Sequence, residues 1–386
     1  MLSAYNFNVW STKLRENESL AVQATVKITN REGNVSELNN LMILSVRSIW
    51  QTTRDKVAVF ILALGLTGCE KPTPPVESVR HAAVGLFDAS ISRDGRFAVV
   101  ASVNHGAAYW DLSENKLLFQ WNHGSSEDSI YTTAIAPDNR VAATADSKSF
   151  VLWDTQTGKS KGFWEVENKI RDIALANNGR HLALALRGQR ILYINMGTGR
   201  RLEMSGHVDV VNSVSLSANG RYLLSGANDY RAIFWDLKQV KPIFIWEHKN
   251  RVTLVALSDN GEYAFSSGVS SDAYIWKLKT GDRHVRLAQQ KREYSFSAAT
   301  FSRDARYLLT GSAGRHLILW DVETGLALDR WVVSKRDVGK PTGAIVYGLG
   351  FSEDNLHVLS ESSSGFGEKW LIEKKLEKPV KQETKR

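Results

Sequence analysis

Short segments of alternating apolar and polar residues recur along most of the chain, and turn-forming residues separate them. In the clearest case, "VNSVSLS" and "RYLLSG" flank the turn "ANG". A period of two predicts half-buried β-strands, and Asn-Gly tolerates the positive φ of a tight hairpin turn. Comparable turns occur near residues 92, 136, 176, 258, 302 and 352. The pattern therefore predicts an all-β domain built from hairpins.

A Trp-Asp signature follows each hairpin at a regular interval, as in "AIFWDL" at Trp235 and "LILWDV" at Trp320. The seven repeat positions, three of which hold weaker copies of the signature, are Trp110, Trp153, Tyr193, Trp235, Trp276, Trp320 and Trp370. Successive positions lie 40 to 50 residues apart, which is typical of four-stranded repeat units. We expect the signature to lie on the third strand of each unit.

A further tryptophan lies 11 residues after four of the repeat tryptophans. These residues are Trp121, Trp164, Trp246 and Trp331. A row of tryptophans can form a carbohydrate-stacking surface, but large rings also bury much area between packed sheets. The strict phase favours packing between repeats, with these residues on the fourth strand.

These motifs resemble the WD40 family over residues 76–372, and the best unit is "SGHVDVVNSVSLSANGRYLLSGANDYRAIFWD". The resemblance implies a seven-bladed β-propeller with four-stranded antiparallel blades. The buried hydrogen-bonded tetrad of the family maps onto His207, Ser225, Asp229 and Trp235. By this alignment, none of the other units has all four groups. In the sixth blade, Gly314 occupies the position of the tetrad aspartate.

The two ends of the repeat array predict how the ring closes. The last unit supplies three strands before the charged tail, while "VESVRHAA" at residues 76–83 is a spare strand at the start. We expect this strand to pair into the last blade, which removes free sheet edges.

The net charge of +8 changes this interpretation little. The tail 373–386 holds six basic and three acidic residues, and the propeller body carries a charge close to +3. A nucleic-acid-binding domain needs a concentrated basic face. We therefore expect no nucleic-acid partner. We also expect the propeller to be a monomer.

The single cysteine, Cys69, ends an apolar run that follows Arg47, Arg54 and Lys56. The order Leu66-Thr67-Gly68-Cys69 resembles the lipobox of bacterial lipoprotein signals. The resemblance implies cleavage before Cys69 and a covalent lipid on its sulfur. The alternative is an ordinary buried cysteine in a short core helix.

The resemblance also sets the expected domain boundaries. Residues 42–68 are the expected signal peptide, 69–75 the lipidated cysteine with its Pro-containing linker, 76–372 the propeller and 373–386 the tail. A signal peptide normally begins at the N-terminus, so residues 1–41 are interpreted as a non-native or disordered extension. Glu70, where Asp would imply retention at the inner membrane, favours the periplasmic face of the outer membrane.

No catalytic or metal-binding motif is visible in the sequence, and we expect no enzyme activity and no cofactor besides the lipid. The main hypothesis for the function is a membrane-anchored periplasmic scaffold that binds protein partners. In the long connection 329–343, the candidate residues for contact with a partner are Lys335, Arg336, Asp337 and Lys340. The alternatives are a periplasmic enzyme or small-ligand binder that uses the central channel, and a cytoplasmic scaffold if the lipobox is not used.

Overall fold

The computed structural model describes residues 7–16, 19–29, 35–44, 73–124, 129–269, 272–288, 296–336 and 343–373. The chain divides into two units, 1–71 and 72–386. In the first unit, Phe7–Glu16 (β1), Ser19–Thr29 (β2) and Val35–Leu44 (β3) pair antiparallel in that order. The domain boundary predicted at residue 42 stays a prediction.

The second unit contains seven antiparallel sheets of four strands each. Blades 1 to 3 consist of Leu86–Ile91 (β5), Phe97–Ser102 (β6), Ala107–Asp111 (β7) and Lys116–Trp121 (β8); Thr132–Ile135 (β9), Val141–Ala145 (β10), Ser149–Asp154 (β11) and Ser160–Glu165 (β12); and Ile170–Leu175 (β13), His181–Leu186 (β14), Ile191–Asn195 (β15) and Arg200–Met204 (β16). A short 3₁₀ turn, Asn177–Gly179, joins β13 to β14.

The remaining four blades repeat this order from the innermost to the outermost strand. They consist of Val211–Leu216 (β17), Tyr222–Ala227 (β18), Arg231–Asp236 (β19) and Lys241–Glu247 (β20); Val252–Leu257 (β21), Tyr263–Gly268 (β22), Ala273–Lys277 (β23) and Arg283–Arg286 (β24); Phe296–Phe301 (β25), Tyr307–Ser312 (β26), His316–Asp321 (β27) and Ala327–Val332 (β28); and Val346–Phe351 (β29), His357–Ser362 (β30), Phe366–Leu371 (β31) and Glu77–Arg80 (β4). The all-β, seven-bladed architecture predicted from the repeats is confirmed.

The first strand of the unit, β4, is the outermost strand of blade 7. It pairs antiparallel with β31, with Gly367 opposite Val79. The innermost strands of successive blades contact one another, and β29 contacts β5. The paired segment is shorter than the predicted range 76–83.

The burial of each strand follows its place in the blade. In blade 4, β18 is buried at five of six positions, whereas the outer strand β20 buries only Trp246. Because neighbouring blades cover both faces of the middle strands, these strands read as nearly continuous apolar runs. One core cluster accordingly combines Ala174 and Tyr193 of blade 3 with Val214 and Trp235 of blade 4.

Candidate functional site

The four residues of the predicted tetrad meet in blade 4. Nε2 of His207 lies 2.8 Å from Oγ of Ser225, and the indole N–H of Trp235 donates to the same oxygen at 2.9 Å. The second ring nitrogen, Nδ1, lies 2.9 Å from Oδ2 of Asp229. The arrangement fixes the connection before β17 to strands β18 and β19.

Burial controls the charge of this histidine. Loss of hydration lowers the pKa of His207, and the hydrogen bond that its Nδ1–H donates to Asp229 offsets that effect only in part. A neutral imidazole can donate through one nitrogen and accept through the other, which matches its two partners. The tetrad therefore has a structural role: it holds the connection before β17 against β18 and β19, and all of its polar groups are engaged with one another.

Blades 2 and 5 contain equivalent networks that the sequence reading missed. In blade 5, Nε2 of His248 lies 2.8 Å from Oγ of Ser266, Trp276 donates to the same hydroxyl at 2.7 Å, and Asp272 lies 3.4 Å from Nδ1. Burial again lowers the pKa of His248. Asp272 follows Ser266 by six residues, whereas Asp229 follows Ser225 by four. A sequence search that uses the spacing of blade 4 therefore does not find Asp272.

In blade 2, Thr144 supplies the hydroxyl. It lies 2.8 Å from Nε2 of His123 and accepts from Trp153 at 2.8 Å, while Asp146 lies 3.4 Å from Nδ1 of His123. Although burial raises the pKa of Asp146, hydrogen bonds from His123, Ser149 and the backbone hold it well below its usual range. Blades 2 and 4 thus have all four groups hydrogen-bonded, and blade 5 has the same groups with Asp272 as an ion-pair neighbour of His248, so the expectation of a single such unit is corrected.

The other repeat positions show how packing replaces missing polar groups. Trp320 keeps its bond to the hydroxyl of Thr310 at 2.8 Å although Gly314 leaves no carboxylate. Trp320 and Trp370 are fully buried. Trp110 is half-buried and stacks on His81 instead, with ring centroids 4.5 Å apart.

The tryptophans on the fourth strands serve packing between blades, in line with the interpretation preferred from the sequence. Trp121 stacks on Trp153 of the next blade at 5.1 Å, and Trp246 stacks on Trp276 at 4.8 Å. Each donates its indole N–H to a carbonyl of the neighbouring blade. Trp331 is also buried and Trp164 partly so.

His81 differs from the other histidines because blade 1 has no hydroxyl beside it. Val100 stands where Ser225 stands in blade 4. Nδ1 of His81 instead lies 2.7 Å from Oε1 of Glu361 in blade 7. Burial lowers the pKa of His81, but the negative charge and hydrogen bond of Glu361 outweigh burial and raise it overall.

Two of the carboxylates that line the central channel, those of Asp88 and Asp172, lie on its innermost strands. A β-bulge just before Asp88 and another before Asp172 turn these side chains inward. Asp88 accepts from the backbone N–H of Thr133 at 2.8 Å, and Asp172 accepts from Val214 at 2.8 Å. Burial raises the pKa of Asp88 to about 7 and that of Asp172 to about 6.

An ion pair crosses the channel near the hairpin turns. Arg93 of blade 1 lies 2.8 Å from Asp259 of blade 5, and both line the channel. The cavity between the innermost strands has a volume of about 310 Å³. The channel carboxylates tie neighbouring blades together through the backbone, and this ion pair joins more distant blades.

One face of the propeller carries a cluster of exposed cations. We call it the histidine face, because it consists of the connections that contain His207, Asp229 and their counterparts in the other blades. Between blades 2 and 5 the exposed basic residues of these connections are Lys148, Lys169, Arg187, Arg190, Lys249 and Arg251. Arg190 is paired with Glu203 on the outer strand of blade 3. Glu167 and Asp209 are the exposed acids of the same connections. Val208 and Tyr230 are also exposed there.

The connection between blades 6 and 7 holds two of the predicted partner contacts within the described residues. Lys335 is exposed. Arg336 is partly buried and donates to the carbonyl of Ser363 at 2.9 Å, so it supports blade 7. Asp337 and Lys340 lie outside the described residues.

The predicted lipidation site, Cys69 with Leu66, Thr67 and Gly68, also lies outside the described residues, as does the tail from residue 374 onward. Within the described ranges, no helix has the length and hydropathy that crossing a bilayer requires. The same residues contain no group of three or more His, Cys, Asp or Glu side chains able to hold a metal ion.

Comparison with known families agrees with the geometry. The sequence model of the family "WD domain, G-beta repeat" matches residues 200–236 and 292–321. No curated protein matches the chain. The first matched segment contains the tetrad of blade 4, and the same strand order recurs in all seven blades. The chain belongs to the WD40 repeat family of β-propellers.

Proposed function

We propose that the chain is a non-catalytic scaffold that binds protein partners through the histidine face and is anchored in the bacterial cell envelope by a lipid on Cys69. The observation that carries this proposal is the excess of exposed cations in the connections of the histidine face, six against two exposed acids between blades 2 and 5. Such a face attracts and orients an acidic protein surface. Exposed Val208 and Tyr230 provide apolar contact area beside the charges.

The rigidity of the propeller supports the same function. Hydrogen-bonded networks hold the face connections of blades 2, 4 and 5 to their strands. A preorganised surface loses little conformational entropy on binding. Family membership adds the analogy that WD40 propellers are usually non-catalytic scaffolds.

Crosslinking in intact cells followed by mass spectrometry tests the partner and the face together. Replacing Arg187, Arg190 and Lys249 by Glu should remove the crosslinked partner. The matched control replaces Lys238, Lys241 and Lys279, which are equally exposed in the turns of the opposite face. Loss of the partner in the control alone would contradict the assigned face, and recovery of a bound small molecule without a protein partner would contradict the scaffold.

The anchor has its own test. A fatty-acid probe fed to the cells should label the protein, and Cys69→Ser should abolish the label. Three acyl chains, which the lipobox resemblance implies, would hold the propeller firmly, since one chain alone binds marginally. Glu70→Asp should move the labelled protein from outer-membrane to inner-membrane fractions. A labelled Cys69→Ser protein would refute the anchor, and an unlabelled wild type would support a cytoplasmic scaffold.

The channel supports a second candidate function, the binding of a small ligand. Asp88 and Asp172 face a cavity of about 310 Å³, close to the lower limit for ligand pockets. Each carboxylate already accepts a backbone hydrogen bond, which favours the scaffold. Asp88→Asn should leave partner crosslinking unchanged if the channel is structural.

A further inference from the structure

Stacked aromatic side chains fill the outer part of the interfaces that follow blades 1 and 4. In both blades one ring comes from the third strand and two come from the fourth strand. The rings stack on one another within each group. The two groups are Tyr109, Phe119 and Trp121 in blade 1, and Phe234, Phe244 and Trp246 in blade 4.

Blade 7 has different residues at these three positions. The strand register places Lys369, Glu77 and Val79 there, because β4 pairs with β31 as β8 pairs with β7. Val79 takes the place of the tryptophan. The other six blades have larger apolar residues at that position, namely Trp121, Trp164, Met204, Trp246, Leu287 and Trp331. The outer part of the interface between blades 7 and 1 is therefore less filled by side chains.

A cavity of about 200 Å³ lies at this place. The three blade 7 residues all line it, and so does Asn115 of blade 1. Asn115 is the counterpart of Gly158, since each lies five residues after the repeat tryptophan of its blade. A Cβ added to Gly158 would lie 2.4 Å from Phe119. The cavity therefore corresponds to the space that the aromatic group of blade 1 occupies at the next interface.

The size and the wall of the cavity favour an apolar ring. Ile91, Leu112 and Leu359 supply apolar surface from both blades. An apolar protein cavity of about 150 Å³ is large enough to bind benzene, so this one accommodates one or two fused rings. The lining also includes exposed charged residues, through which the cavity opens to solvent: Glu77, Arg96 and Glu353.

His81 adds a buried cation to the lining. It is 7% exposed, and its Nδ1 lies 2.7 Å from Oε1 of Glu361. Burial lowers the pKa of His81, but the charge and hydrogen bond of Glu361 raise it overall, which favours the imidazolium. Among the described residues, Nε2 of His81 is buried without a hydrogen-bond partner. The electron-rich face of an aromatic ring attracts such a cation.

We propose that this cavity binds a flat aromatic compound of one or two fused rings. The compound lies beside Val79, packs on Leu112 and Leu359, and presents ring surface to the imidazolium of His81. It completes the interface between blades 7 and 1 as the aromatic group of blade 1 completes the next one. The lining includes the turns at 94–96, 113–115 and 352–353, which belong to the face opposite the histidine face. The site is therefore separate from the proposed protein-binding surface.

Calorimetric titration of the full chain with naphthalen-2-ol tests the site. Decahydronaphthalen-2-ol is the matched probe, because it has the same hydroxyl group and the same two-ring skeleton without aromaticity. The aromatic probe should bind about threefold more tightly or better, since only it attracts the imidazolium of His81 through a ring face. Absence of naphthalen-2-ol binding, or equal or tighter binding of the saturated probe, would overturn the proposal.

Two variants locate the binding by filling the cavity from either side. Val79→Trp introduces the residue that blades 1, 2, 4 and 6 have at this position, and Leu112→Phe enlarges the wall from blade 1. Each should weaken naphthalen-2-ol binding about tenfold or more, because the ligand loses its buried contact area.

The control is Val84→Trp, at a position that is 49% exposed and outside the cavity lining. It should change the affinity by less than about twofold, as surface substitutions usually have small effects. Circular dichroism checks the folding of each variant. Wild-type affinity in either folded cavity-filling variant, or loss of binding in the control, would contradict the assigned site.

Discussion

His207 and His81 occupy the same place in the repeat, just before the first strand of blades 4 and 1, yet their surroundings differ. In blade 4 a serine hydroxyl joins His207 to Trp235 within one blade. In blade 1 Val100 replaces that hydroxyl, and His81 pairs with Glu361 of the preceding blade. Two second-strand residues thus account for the difference: Val100 removes the partner within the blade, and Glu361 provides one in the preceding blade.

The difference extends to charge. Burial lowers the pKa of His207, and the carboxylate of Asp229 compensates only partly. Burial acts in the same direction on His81, but Glu361 overcomes it and the pKa rises. Blade 4 therefore holds a neutral histidine, while the interface between blades 7 and 1 favours an ion pair of His81 and Glu361.

The largest difference should appear when the hydroxyl is removed from Ser225 in blade 4 and from its counterpart in blade 7, Ser360. Ser225→Ala leaves Nε2 of His207 and the indole N–H of Trp235 buried without a partner, which should cost about 3 kcal/mol of unfolding free energy. Ser360→Ala removes an oxygen that has no partner among the described residues and should cost less than about 1 kcal/mol. Urea denaturation of both variants measures the difference. Equal losses would show that the two sites are equivalent.

Supplying the missing hydroxyl to blade 1 should have an intermediate effect. Val100→Thr gives the indole N–H of Trp110, which is buried without a partner, the acceptor that Trp320 finds in Thr310. We expect stability to change by less than about 1 kcal/mol, because the new hydrogen bond offsets burial of the hydroxyl.

The control for this substitution is the neighbouring Val99, which is equally buried but packs into the core between blades 1 and 2. Val99→Thr adds a hydroxyl without a designed partner and should cost about 1–3 kcal/mol. Thermal unfolding of the two variants provides the measurement. A loss for Val100→Thr as large as for Val99→Thr would contradict the repeat equivalence of Val100 and Thr310.

The same repeat equivalence explains how much the sequence could predict. The period of the Trp-Asp signature and the phase of the turns predict seven blades, because every blade needs the same strands to bury its faces. The tetrad of blade 4 follows from fixed spacing, as Ser225 and Asp229 are four residues apart. The spacing fails for Ser266 and Asp272, which are six apart, although these residues form the same network.

Other features depend on contacts that one repeat cannot predict. Glu361 and His81 are separated by 280 positions and meet because β4 belongs to blade 7. Asp88 lies in "DASIS", whose small residues predict an apolar channel lining, but a β-bulge turns its carboxylate into the channel. Strand irregularities and ring closure are tertiary effects, and alternation along a single strand contains no information about them.

Changes of pH should have the smallest effect, with opposite signs at the two histidines. Because the folded-state pKa of His81 is raised, its contribution to stability is complete below the unfolded value of about 6.5 and is lost as pH rises through the folded pKa. Because that of His207 is lowered, its contribution is present above about 6.5 and is lost as pH falls through the folded pKa.

The stability difference between wild type and His81→Gln should therefore shrink from pH 6 to pH 8, by about 1 kcal/mol or less, while the difference for His207→Gln should shrink from pH 7.5 to pH 5.5. Urea denaturation across this range gives both slopes. Glu361→Gln should remove the slope assigned to His81 and leave that of His207 unchanged, since the two residues lie in different blades. Slopes of the same sign would show that burial governs both histidines and that Glu361 does not hold a charged partner.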